Sequence, residues 1–281
     1  MRRHLIATAV LAAAGCSHAP AADRTIERTS LAATTSASLP RQLRVVTFNL
    51  HGEPGDKIAR ALQSDPVLRD ADLIILEEVH GHRGCSSACE IAYLFGFHSV
   101  FAPEFADRDG SDGVAIVSRV PITSSEVIEL PYFNVHLNDE RRKAALAATV
   151  LVDGYPVTVY AVHLTNRLTV SQRARQIAPV LAHADRQTTP VILAGDFNTS
   201  PFTWLGHVIP IPTGTQDDRL EALVRAHGFQ TPVASSGATS HWLAMKLDGI
   251  YTRGFKTLAF STADAEDVSD HLALWAELAA M

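Results

Sequence analysis

Basic residues are in the minority: 24 Lys and Arg stand against 30 Asp and Glu over 281 residues, a formal charge of −6. This excludes a broadly basic surface, so tight non-specific binding of nucleic acid is not the default, although a local basic patch can exist. Aromatic residues interleaved with basic ones, the pattern of a single-strand binding groove, are also missing. No apolar run is long enough to span a bilayer. The longest near the amino terminus, Leu5 to Ala14, falls short of the length a stable transmembrane helix needs. There is no internal repeat, and only one segment is of low complexity. What remains, 47% hydrophobic and 19% charged residues, suffices for one large domain with a substantial core.

The amino terminus reads as a processing signal. Arg2 and Arg3 precede the Leu5–Ala14 apolar segment, which ends in small residues and then Cys16. This resembles the lipobox of bacterial lipoproteins, with Ala13 where Leu is usual. The resemblance implies cleavage after residue 15, a lipid on Cys16, export, and a membrane-anchored protein on the periplasmic side. An ordinary secretory signal cleaved nearby is the alternative. Residues 16–40, rich in Ala, Ser and Thr without periodicity, read as a flexible tether, and 41–281 as the folded domain. With Cys16 assigned to lipid, one cysteine pair remains, Cys85 and Cys89. Four residues apart and in an oxidising compartment, they are expected to form a disulfide. A zinc site would need His80 or His82 as well, at a spacing unlike the usual zinc patterns. His51, His80, His82 and His136 all lie in polar or turn segments and read as solvated.

Within the domain, short apolar runs end in polar residues. Leu43–Asn49, Ala71–Val79, Gly113–Ser118, Ile122–Leu130, Val191–Asp196, Leu247–Tyr251, Thr257–Phe260 and His271–Leu278 read as strands. Ala144–Val152 and Pro156–His163 read as a hairpin through Asp153-Gly154. Helices are expected at Asp56–Leu62, Glu90–Phe95, Leu168–Asp185 and Leu220–Ala226, the third capped by Thr169 with Arg173 and Arg175 outside its apolar stripe. Pro103–Asp112 reads as a charged loop. Strands outnumber helices and several form hairpins, which predicts mixed sheets covered by helices. Asn49, Glu78, His163, Asp196, Asn198, Asp248, Asp270 and His271 all lie at or near strand ends. Each is a residue type that binds a hard cation, moves a proton or donates to phosphate. Singly, each has a local reading too, such as an Asx turn at Asp196-Phe197-Asn198 or a capped turn at Asn49.

The segments Thr47-Phe48-Asn49, Leu76-Glu77-Glu78-Val79, Gly113–Ile122, Val162-His163-Leu164, Gly195-Asp196-Phe197-Asn198, Leu247–Ile250 and Ser269-Asp270-His271 occur in one order. Together they resemble the endonuclease/exonuclease/phosphatase superfamily, which includes deoxyribonuclease I, from about Leu43 to the carboxyl end. The resemblance implies an α/β four-layer sandwich, two packed mixed β-sheets flanked by helices. It also implies hydrolysis of a phosphoester by in-line attack of water. Asn49, Glu78 and Asp270 would hold Mg²⁺, with Mn²⁺ as a substitute. Asp196 and Asn198 would position water or a phosphate oxygen, and His271, oriented by Asp248, would act as base or electrostatic partner. His163 would donate to the phosphate or the leaving group. Two departures stand out. Glu77 occupies a place where Gln is common and is expected to point away from Glu78, into a structural contact or beneath the ligands, and Leu272 occupies a place where Pro is common.

A phosphate clamp from Arg141-Arg142-Lys143 is expected, with Arg142 the assigned residue. Strand alternation equally allows Arg141 with Lys143, and a charge run is usually a solvated face. The substrate is a nucleic acid, a phospholipid or a small phosphoester, the membrane is a partner through the lipid anchor, and a monomer is expected. Pro201–Pro212, apolar and rich in Pro, follows the central strand directly. It forms either a hydrophobic rim for an amphiphilic substrate or part of the core. The competing reading of the whole chain is a lipoprotein that binds a phosphorylated ligand without catalysis. Against it, none of the ligand positions is lost.

Overall fold

The computed structural model describes residues 24–31, 36–82, 84–107, 110–135, 141–214, 216–265 and 268–281. The signal segment, Cys16 and His136 lie outside the described residues. Along the chain the elements are β1 (Glu27–Thr29), β2 (Gln42–Asn49), α1 (Gly55–Ser64), β3 (Leu73–Gly81), α2 (Ser87–Phe95), β4 (His98–Asp107), β5 (Gly110–Ser118), β6 (Ser124–Glu129), β7 (Ala144–Val152), β8 (Tyr155–His163), α3 (Val170–Asp185), β9 (Val191–Asp196), β10 (Phe202–Leu205), β11 (Ile209–Pro212), α4 (Gln216–Ala226), β12 (Asp248–Arg253), β13 (Phe255–Ala263) and β14 (Ala273–Ala280). The strands form a seven-stranded sheet, β1-β4-β5-β3-β2-β14-β13, and a five-stranded sheet, β12-β9-β8-β7-β6, with β10 and β11 pairing apart from both.

Period-two alternation sorts the apolar residues into three cores. Val45, Ile75, Val159, Ala161, Ile192 and Ala194 lie between the sheets. Their neighbours Val46, Ile74 and Leu76 face α1 and α2, and Tyr160, Val162 and Leu193 face α3 and α4. Both faces of each sheet are therefore covered, which explains why the central strands are continuously apolar. The order is helices, sheet, sheet, helices: the four-layer sandwich. β2–β3 and β8–β9 pair in parallel, and the other strand pairs are antiparallel.

Several expectations are corrected. Part of the expected tether is folded: Glu27–Thr29 adds an edge strand to β4, and Leu39 is buried and bridged to Val152. Backbone pairing at a free sheet edge orders this stretch despite its weak apolar content. The charged segment 103–112 is no loop over most of its length, because β4 runs to Asp107 and β5 starts at Gly110, paired across a bulge near Glu104. Arg173 is buried, not solvent-facing. Thr169 and Gln172 form the capping box that starts α3. Cys85 and Cys89 are joined in a disulfide ahead of α2, with Cα atoms 5.3 Å apart.

Gly195 has φ +145°, and a Cβ there would run into the Val162 carbonyl of β8. Only glycine lets β9 lie this close to β8 just before Asp196. Gly195→Ala is expected to cost about 2–4 kcal/mol, measured by urea unfolding. A stability unchanged within error would show that the strands can separate freely there.

Candidate active site

The residues of the site continue the inner phase of the sheets. Val45, Thr47 and Asn49 alternate on β2, Val159, Ala161 and His163 on β8, and Ile192, Ala194 and Asp196 on β9. Each inter-sheet row thus ends, at one edge of the sandwich, in a polar side chain. His163 pairs in register with Asp196, and Asp196 with Asp248. That places three functional residues in one row across three adjacent strands. Asn49, Glu77 and Glu78 come from the opposing sheet.

Glu77 takes the structural place expected of it, buried beneath the site while Glu78 lines the cleft, but it does not get there by simple alternation. A bulge between Leu76 and Val79 and a left-handed backbone at Glu78, φ 50°, break the alternation on which that expectation rested. Glu77 keeps the inner phase. It is fully buried, with Thr47 Oγ1 donating to its Oε1 at 2.9 Å. Burial first, and then Asp248 and Asp196, hold its carboxyl well above the usual range, which favours the protonated acid beneath the site. Glu78, turned by the bulge, reaches the cleft. Its Oε1 accepts from Asn49 Nδ2 at 3.3 Å, and the same amide donates to Asp196 Oδ2 at 3.2 Å.

The two histidines are held in opposite states. Lys143 Nζ, which can only donate, lies 2.9 Å from His163 Nδ1. His163 must therefore carry its proton on Nε2, which lies 3.6 Å from Asp196 Oδ2 and 3.8 Å from Glu78 Oε1. Burial, Lys143 and His271 together hold His163 well below its ordinary pKa, so it is a neutral donor. His271 Nδ1 lies 2.9 Å from Asp248 Oδ2. Burial alone would lower His271, but Asp248, with Asp196 and Asp270, outweighs it and raises the imidazole to about 10. Burial and the neighbouring Asp248 raise Asp196.

The supporting contacts are specific. Asn198, also left-handed at φ 51°, donates its backbone N–H to Asp196 Oδ1 at 2.7 Å and its Nδ2 to the Leu164 carbonyl at 2.8 Å. The Asx turn is present, and it serves to aim Asp196. Ser269 Oγ donates to the Asn49 carbonyl and accepts from the His271 N–H, tying the Ser269–His271 turn to β2. Arg173 Nη1 donates to the Phe197 carbonyl at 2.6 Å and fixes the turn between Asp196 and Asn198 from behind.

Two cavities, of about 300 Å³ and about 270 Å³, meet at Glu78, His163 and Asn166. The second is lined by Asp196, Asn198, Asp270, His271 and Trp204, and the first by Phe105, Tyr132, Phe133, Arg141 and Lys143. Arg142 is not the residue facing the site. Its guanidinium lies over the Tyr132 ring at 5.4 Å, while Arg141 and Lys143 face the cleft, as the alternation on entering β7 requires. His51 lines the first cavity, with Nδ1 3.2 Å from Asp270 Oδ1. His80 is buried, contrary to the solvated reading, its ring 4.2 Å from that of His82.

Other contributors were not singled out from the sequence. Glu104 accepts from Lys143 Nζ at 3.0 Å and from the Ala144 N–H at 2.9 Å. Asp112, raised to about 7 chiefly by burial, lines the cleft beside Lys143. Their signal was the density of charge in 103–112, which loop composition explains equally well. Arg173 had no signal, because an arginine beside an apolar stripe normally faces water.

The donor set fits a hard divalent cation. Glu78, Asp196 and Asp270 line one cavity, and behind it Asp248 keeps one buried carboxylate oxygen, Oδ1, without a hydrogen-bond partner. Ligand atoms of Asp196, Asp248 and His271 lie within 4.8 Å of one another. Carboxylate oxygen donors of this kind suit Mg²⁺ or Mn²⁺.

The Endonuclease/Exonuclease/phosphatase family profile matches residues 46–271, and the chain belongs to that family. Among curated proteins no significant sequence match is found. Solved structures share the fold. An endonuclease/exonuclease/phosphatase from Beutenbergia cavernae DSM 12333 aligns with TM-score 0.67 at 21% identity, over 85% of this chain and 72% of that one. The human Nocturnin catalytic domain with bound sulfate aligns with TM-score 0.63 at 17% identity, over 92% and 97%. D. rerio TDP2 complexed with a single-strand DNA product aligns with TM-score 0.59 at 17% identity, over 84% and 98%.

The state of His271 predicts a pH dependence. Its folded pKa is raised above the ordinary value of 6.5 to about 10. The stability it contributes is full below pH 6.5 and is lost as pH rises towards 10. Chelator-treated protein should therefore melt at progressively lower temperature from pH 7 to pH 10. His271→Gln should flatten that slope, and an equal slope in both proteins would contradict the assignment.

Proposed function

We propose that the chain is a Mg²⁺-dependent phosphodiesterase, with Mn²⁺ as a substitute, acting outside the cytoplasm. The observation that carries the reading is the gathering of Glu78, Asp196, Asp270, His163 and His271 around one cavity, which meets a second cavity at Glu78 and His163. The three activities in the family's name all hydrolyse phosphoesters. A cleft running to both sides of the reacting position accommodates a diester with a group on each side, which favours diesters over monoesters.

Glu78, Asp270 and the Asn49 amide would hold the cation, which would neutralise a phosphoryl oxygen and the leaving oxygen when bound. Asp248 is less suited as a ligand, because its Oδ2 is committed to His271. The His163 Nε2–H donates to a phosphoryl oxygen, and Lys143 keeps that proton on Nε2. Asp196, aimed by Asn198, orients the attacking water. His271, held by Asp248, stands beside the reacting position as the electrostatic partner of the developing negative charge. Arg141 supplies a cation to one flank of the substrate.

The aromatic residues Phe105, Tyr132 and Phe133 on one flank suit a nucleobase, and the apolar Trp204 flank suits a lipid. Nucleic acid and phospholipid therefore both belong in a substrate screen. Export with a lipid on Cys16 completes the reading. The Cys85–Cys89 disulfide supports it, because such bonds persist in oxidising compartments.

Hydrolysis of bis-p-nitrophenyl phosphate is expected to need added Mg²⁺ and to fall about 10²–10⁴-fold in His271→Ala. Plasmid DNA, RNA, phospholipids and phosphomonoesters assayed in the same buffer would identify the substrate class. Equal rates for the wild type and His271→Ala, with or without Mg²⁺, would favour a ligand-binding lipoprotein instead.

A further inference from the structure

The β10–β11 hairpin is apolar and uncovered. Leu205 is 61% exposed, Val208 74%, Ile209 55% and Ile211 41%. Residues 201–214 carry no Asp, Glu, Lys or Arg. One side is fastened to the domain: Trp204 lies under the Arg167 guanidinium at 5.2 Å, His207 Nδ1 lies 3.0 Å from the Arg167 carbonyl, and Thr213 N donates to the Pro201 carbonyl at 3.0 Å. The other side faces outwards. Contiguous apolar surface of this kind, on an otherwise charged protein, marks an interaction site. Trp204 also lines the cavity that holds Asp196 and His271, so whatever covers the hairpin lies at the mouth of the cleft.

The path of the amino-terminal chain indicates what covers it. β1 runs antiparallel to β4, with Glu27 opposite Phe101 and Thr29 opposite Ser99. β4 continues from Phe101 to Phe105 and Asp107 in the cleft wall, so the chain enters β1 from the cleft end. Arg24 confirms the position. It pairs with Glu129 at 2.7 Å and donates to the Arg142 carbonyl at 3.4 Å, next to the cleft residues Arg141 and Lys143. Cys16 stands eight residues before Arg24, at most about 28 Å of fully extended chain. A lipid on Cys16 would therefore hold the cleft end, with its apolar hairpin, close to the bilayer.

We infer that the β10–β11 hairpin docks on a lipid surface and turns the catalytic cleft towards the membrane. Leu205, Val208, Ile209 and Ile211 enter the interfacial region, and Trp204 and Arg167 lie at headgroup level, where an amphipathic ring and a cation are favoured. The orientation argument rests on the lipoprotein reading of Cys16, but the exposure of the hairpin does not.

The test uses the full chain with Cys16→Ser, which carries no acyl group, and phosphatidylcholine vesicles. Adding Val208→Glu and Ile209→Glu should weaken partitioning at least about tenfold and leave hydrolysis of a soluble diester unchanged. Any binding through the amino-terminal apolar segment would be common to both proteins and would cancel. Brominated lipid should quench tryptophan emission, and Trp204→Phe should lose the quenching. Equal partitioning of the two proteins, or quenching that survives Trp204→Phe, overturns the proposal. So does a dimer, seen by sedimentation, that the Glu pair abolishes without any change in vesicle binding. Palmitate labelling at Cys16 tests the anchor separately: a chain without lipid that passes the vesicle test refutes the anchor and supports the docking.

Discussion

Negative charge collected at the end of an apolar core is the constraint on which this structure depends. Glu77, Asp196 and Asp248 are buried side by side, with Glu78 and Asp270 at the rim. Carboxylates so placed are strongly disfavoured unless they are protonated, paired or bound to a cation. The protein uses the first two devices in part. Burial pushes Glu77 towards its neutral form, and His271 stands charged against Asp248. A bound cation, the third device, is what the proposed function calls on. Replacing these groups with apolar ones of similar size would relieve the fold and destroy the site, a common trade between stability and function.

Holding the charges together requires a stiff frame, and several contacts exist for that purpose. Gly195 lets β9 close on β8, so that Asp196 falls in register with His163. Arg173 grips the Phe197 carbonyl from the helix side, and Ser269 ties the turn before β14 to β2. The two histidines then diverge in role because their partners differ. A lysine that can only donate makes His163 a neutral donor. A carboxylate makes His271 a cation. Two titratable groups pushed in opposite directions within one cleft are a mark of a functional site.

Most of this was legible in the sequence for a simple reason. Strands buried on both faces announce themselves as apolar runs, and a polar residue ending such a run stands out. His163, Asp196, Asp248 and His271 were visible on those grounds. The division between a buried Glu77 and a cleft-facing Glu78 was legible, but the bulge that produces it was not, because bulges leave little trace in residue type. Lys143 could not be chosen over Arg142 without knowing the phase in which the chain enters β7. Glu104 and Asp112 were hidden because charged strand residues facing a cleft look like a charged loop. Arg173 was hidden because burial of an arginine depends on carbonyls supplied by distant turns. The hairpin was half legible: its apolar content was plain, but whether it packs inwards or stands free is a property of the fold.

The central claim is that the carboxylates form a cation site on the Glu78 side of the cleft, leaving the Asp248–His271 pair to face the developing negative charge. Mn²⁺ binding followed by electron paramagnetic resonance tests it most directly, comparing wild type, Glu78→Gln and Asp248→Asn. The account predicts one site in the wild type, at least about tenfold weaker in Glu78→Gln and little changed in Asp248→Asn. Binding that survives Glu78→Gln but is lost in Asp248→Asn would contradict it and move the cation into the Asp196, Asp248 and His271 cluster.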